Sequence, residues 1–197
     1  MQTLLAGLAA LLVLLGSPRS TAVPNYDRNV DYLSIMLRAA ECGDIEAGRA
    51  AQVCRNEMLD DLGSDEIRID FDDLLLLAKV IQHEAGSERL SAEWRMCVGE
   101  VVLNRVASPE FPDSVEEVVY QTGQYAGVNS DEFRYLTDPS ADCVQTALRL
   151  LQGERLLAPW VVFQANFPQG SGVYTRFYDK VYGYTYFCSS SHMELYA

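Results

Sequence analysis

The spacing of apolar residues changes along the chain, and this change constrains the fold more than any other feature. Between residues 30 and 151, apolar residues recur at helical spacing, which predicts amphipathic helices. Residues 160–165 and 184–188 are instead rich in β-branched and aromatic residues, and glycines separate them, which predicts strands. Helices followed by a few strands predict an α+β fold, mainly helical, with a small antiparallel sheet near the C-terminus.

Capping residues mark where the helices begin. Residues 25–62 form a predicted helical hairpin that turns at Gly43 and Asp44. In the rest of the helical part, N-terminal ends are expected at Asp70, Ser91, Ser114 and Asp138, and Gly153 marks the exit of the last helix.

A chain of 197 residues has room for one ordinary domain and a short extra segment. The expected division is a signal peptide at 1–22, an N-terminal helical hairpin at 23–68, a main domain at 69–188 and a polar tail at 189–197. The hairpin carries no chemistry that its residues identify.

The first residues are typical of an export signal. Residues 4–15 are almost wholly apolar but fall short of the roughly 20 that a membrane-spanning helix needs. The small residues that end at Ala22 predict cleavage there. We therefore expect a secreted or cell-envelope-associated protein. Because no Lys or Arg precedes the apolar run, an uncleaved membrane anchor stays open as an alternative.

The net charge of −13 argues against nucleic acid as a partner, since binding to phosphate requires clustered Lys and Arg. An anionic polymer also gains no long-range attraction from such a surface. Recognition would then depend on shape and hydrogen bonds in a cleft, and contact with a membrane would come only through an uncleaved leader.

Five cysteines in an exported chain permit disulfide bonds. Cys42 and Cys54 lie on adjacent helical patterns and could join them. Cys97 and Cys143 fall on apolar helix faces, where a buried thiol is equally expected. No C-x-x-C motif occurs, so a zinc or redox site is not expected.

Glu84 is the candidate for acid–base chemistry. Cleavage of a glycosidic bond requires a proton donor, and a carboxyl group serves near neutral pH only if its surroundings raise its pKa. Glu84 follows an apolar helical run, at a C-terminal end whose partial negative charge favours the protonated form. By itself this pattern is more typical of a surface residue at a helix end.

Residues 75–125 resemble the cell wall hydrolase SleB family, the spore cortex-lytic enzymes. The resemblance rests on two ordered pieces, LLAKVIQHEAGSE and VGEVVLNRVASPEFPDSVEEVVYQTGQY. Residues 161–166 and 184–187 resemble the closing strands of that family more loosely. In the family the Glu of the first piece is the catalytic acid, and the match places this role on Glu84.

The resemblance implies a lysozyme-like fold with a cleft beside the helix of Glu84. It also implies cleavage of the β-1,4 bond that follows N-acetylmuramic acid in peptidoglycan. As in lytic transglycosylases, one Glu would act first as acid and then as base on the C6 hydroxyl of the sugar, outside the two-carboxylate scheme. No metal or organic cofactor is implied.

Other residues are candidates for binding the glycan. Each has an ordinary structural alternative, as a solvated loop charge or a satisfied loop side chain. The candidates are Glu88, Gln121, Gln124, Tyr125, Asn166 and Tyr186. Asn104 and Arg105 are expected to hold the fold together through hydrogen bonds to neighbouring loops. His83 is expected to be a packed or surface residue, with a role at the cleft edge left open, and His192 to be inert.

Three other functions compete with glycan cleavage. A cysteine peptidase needs a Cys paired with a His, and a zinc amidase needs several ligands, whereas the chain has only His83 and His192. The more serious alternative is a domain that binds glycan or a partner hydrolase without turnover. Glu84 argues against it.

Overall fold

The computed structural model describes residues 26–125, 127–134 and 138–196, and the predicted signal peptide lies outside them. Among these residues the helices are α1 (Tyr32–Cys42), α2 (Ile45–Leu62), α3 (Phe71–Ala85), α4 (Ala92–Val106), α5 (Val115–Tyr120), α6 (Asp131–Arg134) and α7 (Ala141–Leu151). The strands are β1 (Val161–Ala165), β2 (Gly172–Asp179) and β3 (Gly183–Ser189), followed by a 3₁₀ turn at Met193–Tyr196. The α+β prediction is confirmed. None of the helices described is both long enough and apolar enough to cross a membrane.

The predicted caps explain where most helices begin. The side chains of Asp70, Ser91 and Ser114 each accept a hydrogen bond from a backbone N–H of the first turn, which satisfies donors that the helix leaves unpaired. The predicted start at Asp138 is wrong by two residues, because Ser140 occupies the N-cap of α7.

The N-terminal hairpin shares its core with the rest of the molecule. Met36 and Ala40 of α1 and Ala51 of α2 are buried together with α3 and α7. The ring of Phe71 lies against the bare backbone of Gly48, where an added Cβ would be 2.1 Å from the Phe71 Cζ atom. A glycine at this position thus lets α2 approach the start of α3.

Helix α4 lies at the centre of the molecule. It packs against α3, α7 and β1, and most of its residues are buried. Gly99 makes the contact close, because a Cβ there would be 2.5 Å from Leu150 and 2.7 Å from Ile81. The sequence prediction of a buried central helix is confirmed.

The strands form one antiparallel sheet in the order β1-β3-β2. The sequence analysis expected only the two segments that became β1 and β3. Strand β2 was missed because its residues alternate without a buried apolar run, and most of its side chains are exposed.

The two faces of the sheet have different surroundings. Because side chains alternate along a strand and paired residues share a face, Gln164, Phe177 and Phe187 lie on one side, which we call the inner face. Phe187 is buried there, and Phe177 stacks on Trp94 of α4 at 5.4 Å between ring centroids. Tyr178, Tyr184 and Tyr186 lie on the opposite side, the outer face.

The last residues are anchored to the loop after α4. The hydroxyl of Tyr196 is 2.6 Å from the Ser108 hydroxyl and donates to the Glu110 carboxylate at 2.9 Å. Ser190 is fully buried. His192 is exposed, and its ring lies 3.3 Å from the Glu194 carboxylate.

None of the five cysteines forms a disulfide bond, so the possible link between Cys42 and Cys54 is not present. Cys97 and Cys143 are buried thiols, which is one of the two alternatives that the sequence left open, the other being a disulfide bond. Burial raises the pKa of the Cys97 thiol to about 12. A thiol with so high a pKa is a poor nucleophile at neutral pH.

Candidate active site

Glu84 lies in the last turn of α3, at the edge of an open depression of about 360 Å³. The helix ends at Gly86, whose backbone N–H donates to the carbonyl of Gln82. The depression is lined by Gln82, His83, Glu84, Ala85, Gly86, Ser87, Leu90 and Tyr182. Glu84 is the one carboxylate among these described lining residues.

The carboxyl group of Glu84 combines access with partial loss of water. The residue is exposed, so a substrate in the depression can reach it. The concave wall around it still removes enough water to raise its pKa above the ordinary value. The positive charges of His83 and Arg105 act in the opposite direction. A raised pKa and an open approach are the two properties that a general acid needs.

Gln164 is the hydrogen-bond partner of Glu84. It lies on the inner face of β1, and its amide nitrogen donates to Glu84 Oε2 over a long distance of 3.5 Å. Its amide oxygen is buried without a partner in the structure. The sequence analysis did not select Gln164. The signal available was a polar residue in the middle of an otherwise apolar strand, which is unusual unless the side chain has a polar partner.

Arg105 lies behind Glu84 and is almost fully buried, at 3% exposure. Its Nε donates to the carbonyl of Val162 at 2.7 Å. Its guanidinium group lies 5.1 Å from the ring centroids of both Phe111 and Tyr125, in cation–π geometry. These contacts hold a positive charge close enough to lower the pKa of Glu84.

Tyr125 is almost fully buried rather than exposed on its loop, and its predicted role in binding the glycan stays a prediction. It is 5% exposed, and burial raises the pKa of its hydroxyl to about 12, with the Glu84 charge adding to the rise. Tyr125 belongs to the wall behind the carboxylate. The loop position suggested an exposed phenol, but Arg105 provides a partner that draws the ring inward.

Three buried polar atoms near Glu84 make no hydrogen bond of good geometry with the described residues. They are Arg105 Nη1, Tyr125 Oη and Gln164 Oε1. Buried polar atoms are normally paired, by water if not by protein. Their convergence near one carboxylate is typical of a site that holds ordered water or a polar ligand.

The remaining candidates for binding the glycan are not among the described residues that line this depression. Glu88 is exposed in the turn after α3, and the lining passes from Ser87 to Leu90 without it. Gln121 and Gln124 are half-buried in the turns after α5, where Gln121 Oε1 is buried without a partner. Asn166 is exposed just after β1. Their roles in binding stay predictions.

Tyr186 is half-buried on the outer face of the sheet, whereas Gln164 on the inner face contacts Glu84. The predicted role of Tyr186 in binding the glycan stays a prediction, at a position on the opposite face of the sheet from Gln164. Tyr182, at the tip of the β2–β3 hairpin, lines the depression instead and was not predicted. The spacing of the tyrosines in the sequence does not show whether Tyr182 or Tyr186 faces the depression.

His83 is packed against a neighbouring side chain and also lies at the edge of the depression. Its ring packs edge-on against Phe133 at 5.5 Å between centroids, and the residue also lines the depression. Asn104 and Arg105 have the structural hydrogen bonds that were predicted, because Asn104 Nδ2 donates to the carbonyls of Ala158 and Val161 at 3.0 Å each.

Together these features define a small α+β protein with one accessible acid in an open polar depression. Residues 91–171 match the sequence profile of a family described as Cell Wall Hydrolase. The matched segment contains Arg105, Tyr125 and Gln164, begins after Glu84 and covers less than half of the chain. This similarity supports peptidoglycan hydrolysis as the general activity. No curated protein and no solved structure matches the chain.

Proposed function

We propose that the protein cleaves the glycan strands of peptidoglycan at the β-1,4 bond between N-acetylmuramic acid and N-acetylglucosamine. The observation that carries the proposal is Glu84, an accessible carboxyl group with a raised pKa at the edge of a depression. The similarity of residues 91–171 to cell wall hydrolases supports the class of substrate. The lysozyme-like character expected from the sequence belongs to the same proposal.

In the first step, the protonated Glu84 donates its proton to the glycosidic oxygen. The bond between that oxygen and C1 of the muramic acid breaks, and C1 acquires positive charge. A carboxyl group with an ordinary pKa would be almost fully ionised at neutral pH and could not donate. The partial loss of water around Glu84 keeps a larger fraction protonated.

In the second step, the ionised Glu84 accepts the proton of the C6 hydroxyl, whose oxygen attacks C1 and closes a 1,6-anhydro ring. The nearby charge of Arg105 stabilises the carboxylate that the first step leaves on Glu84. The same charge lowers the fraction of Glu84 that is protonated before the first step and makes the carboxylate a weaker base in the second, whereas the loss of water around Glu84 acts in the opposite direction. A group that must act as acid and then as base requires such a compromise.

Lytic transglycosylation is favoured over the two-carboxylate mechanism by the composition of the depression. The usual scheme requires a second carboxylate across the bond, whereas Glu84 is the one acidic side chain among the described residues that line the depression. Glu88 is exposed outside the lining. A reaction in which the substrate supplies its own nucleophile needs no second carboxylate.

We place the activity outside the cytoplasm. The support is the apolar segment 4–15 and the small residues that end at Ala22, which are typical of a cleaved leader. The substrate of the proposed reaction lies in the same compartment. N-terminal sequencing of the exported protein tests this, with a mature chain that begins at Val23 as the expected result.

The experiment for the activity is mass spectrometry of the soluble fragments that the chain releases from purified peptidoglycan. Glu84→Gln is run in parallel, with Glu57→Gln, at an exposed glutamate of α2 outside the depression, as the control. We expect anhydro-muramic ends from the parent and from Glu57→Gln, and a loss of about 100-fold or more in Glu84→Gln.

The alternative outcomes separate the mechanisms. Reducing ends would assign the second step to water, with the Gln164 amide as the nearest group to position it. Release that persists in Glu84→Gln would exclude Glu84 as the acid. Binding of peptidoglycan without release by the parent would favour the non-catalytic alternative.

A further inference from the structure

The outer face of the sheet carries a row of tyrosines. Tyr178 and Tyr184 form a cross-strand pair with ring centroids 4.8 Å apart, and the ring of Tyr186 follows Tyr184 at 5.6 Å. The guanidinium group of Arg176 lies 5.4 Å from the Tyr184 ring. We call these four residues the tyrosine row.

Most of the tyrosine row is exposed, because Arg176, Tyr178 and Tyr184 are exposed and Tyr186 is half-buried. Tyr178 is 63% exposed and Tyr184 is 42% exposed. The described helices pack on the inner face, where Phe177 contacts Trp94 of α4. Cross-strand aromatic pairs stabilise a sheet, but that role does not require side chains as exposed as those of Tyr178 and Tyr184.

The chemistry of the row fits a sugar polymer. A tyrosine offers apolar ring surface to the C–H groups of a sugar and a hydroxyl to its polar groups. The rings succeed one another along the surface, so they can contact successive parts of an extended chain. Arg176 adds a charged hydrogen-bond donor beside the rings, which suits the carboxylate groups of an anionic sugar polymer.

The charge of this surface is opposite to that of the whole chain. Arg176 and Lys180 are exposed on the β2–β3 hairpin, whereas the chain carries a net charge of −13. The acidic residue between them, Asp179, is held in a salt bridge with Arg89 at 3.5 Å. The hairpin therefore presents positive charge to a ligand that carries carboxylates, such as the lactyl and peptide groups of peptidoglycan.

We infer that the tyrosine row is a second binding site for peptidoglycan, separate from the depression at Glu84, and that it holds a strand outside the bond that is cut. The row lies on the hairpin whose tip places Tyr182 in the lining of the depression. One element thus links the two sites. The identity of the ligand rests on the proposed function, while the existence of the site rests on the exposed rings and the charge.

The experiment is co-sedimentation of the full-length protein with purified insoluble peptidoglycan. All variants carry Glu84→Gln, so that turnover does not release the bound protein. In the double variant Tyr178→Ala/Tyr184→Ala we expect the apparent affinity to fall by about tenfold, which equals about 1.4 kcal/mol. The double variant with Phe at both positions keeps the rings and should retain most of the binding.

Two controls separate binding from folding. Val53→Ala removes an exposed apolar side chain from α2 and should leave binding unchanged. Thermal unfolding shows whether the tyrosine variants stay folded. Arg176→Gln keeps the rings and should weaken binding most at low salt, where the lost charge matters most.

The outcomes distinguish this inference from the proposed function. With Glu84 restored, the Ala double variant should cleave a short soluble glycan fragment as fast as the parent, because the depression is intact. Loss of binding on substitution, together with no cleavage by the parent, would keep the second site and overturn the proposed activity. A folded Ala double variant that binds peptidoglycan as tightly as the parent would overturn the second site, and so would a parent that does not bind.

Discussion

Replacement of Asn104 by Ala tests how the site is held together. Asn104 is 6% exposed, and its side-chain nitrogen donates to the carbonyls of Ala158 and Val161 at 3.0 Å each. Each lost hydrogen bond costs about 1 kcal/mol. The carbonyl of Ala158 keeps the backbone N–H of Val161 as a donor, so only part of the pairing is lost.

The expected loss is therefore about 2 to 3 kcal/mol in the free energy of unfolding, once the small cavity left by the side chain is added. With a urea dependence of about 2 kcal/mol/M, the unfolding midpoint should fall by about 1 M. Asn166→Ala removes an exposed asparagine just after the same strand and serves as the control, with no expected change.

Activity should fall as well in Asn104→Ala. Asn104 fixes the start of β1, and β1 carries Gln164 to Glu84. A decrease in kcat per folded molecule, measured well below the unfolding midpoint, is expected. A midpoint within about 0.3 M of the parent would refute the argument that these two bonds stabilise the strand.

Three further predictions follow from the same geometry. Arg105→Met removes the charge that lowers the pKa of Glu84, so the pH at which kcat/KM falls on the alkaline side should rise. Arg105→Lys keeps the charge and should raise that pH less. Identical pH profiles for the parent and both variants would contradict the electrostatic role. The folded-state pKa of Glu84 is raised, so its ionisation destabilises the fold at pH values above the ordinary Glu pKa. Glu84→Gln should therefore raise the melting temperature at pH 7 and not at pH 4. Equal shifts at both pH values would contradict this. Gly48→Ala places a Cβ 2.1 Å from the Phe71 ring and should cost about 1 to 3 kcal/mol in urea unfolding, and parental stability would show that the ring moves aside at no cost.

The helical part of the fold could be predicted because its signals are local. A capping residue and its helix are adjacent in sequence, so Ser91 and Ser114 mark helix ends without knowledge of the tertiary structure. Glu84 was selected through the resemblance to a known family, because the apolar run before it and Gly86 after it are by themselves more typical of a surface residue at a helix end. The start of α7 was placed two residues early because Asp138 and Ser140 are both plausible caps.

The surroundings of Glu84 could not be predicted in this way. Gln164 lies 80 positions further along the chain, and only the path of β1 brings it to the carboxylate. Tyr125 was assigned to an exposed loop because its burial depends on the position of Arg105, on a different element. The position of each tyrosine depends on the pairing of the strands, because a shift of one residue in register moves every side chain of a strand to the other face of the sheet.

A raised pKa alone does not identify the catalytic acid, as Glu100 shows. Burial raises the pKa of Glu100 as well, although the backbone N–H groups of Leu156 and Leu157 oppose the rise by donating to its two oxygens at 2.7 and 2.9 Å. Glu100 is fully buried. Both oxygens are engaged and no substrate can approach, so its role is to hold the segment between α7 and β1.

Glu84 differs from Glu100 in access rather than in pKa. Its side chain accepts a long hydrogen bond from Gln164 at 3.5 Å, which leaves its oxygens able to bond a substrate. Helix α4 makes this difference possible. Its residue Glu100 holds the segment that leads to β1, and Asn104 holds the first residue of β1. The next residue, Arg105, places a positive charge near Glu84. One buried helix thus fixes the strand and lowers the pKa of Glu84, the proposed acid, while Glu84 itself stays open to the depression.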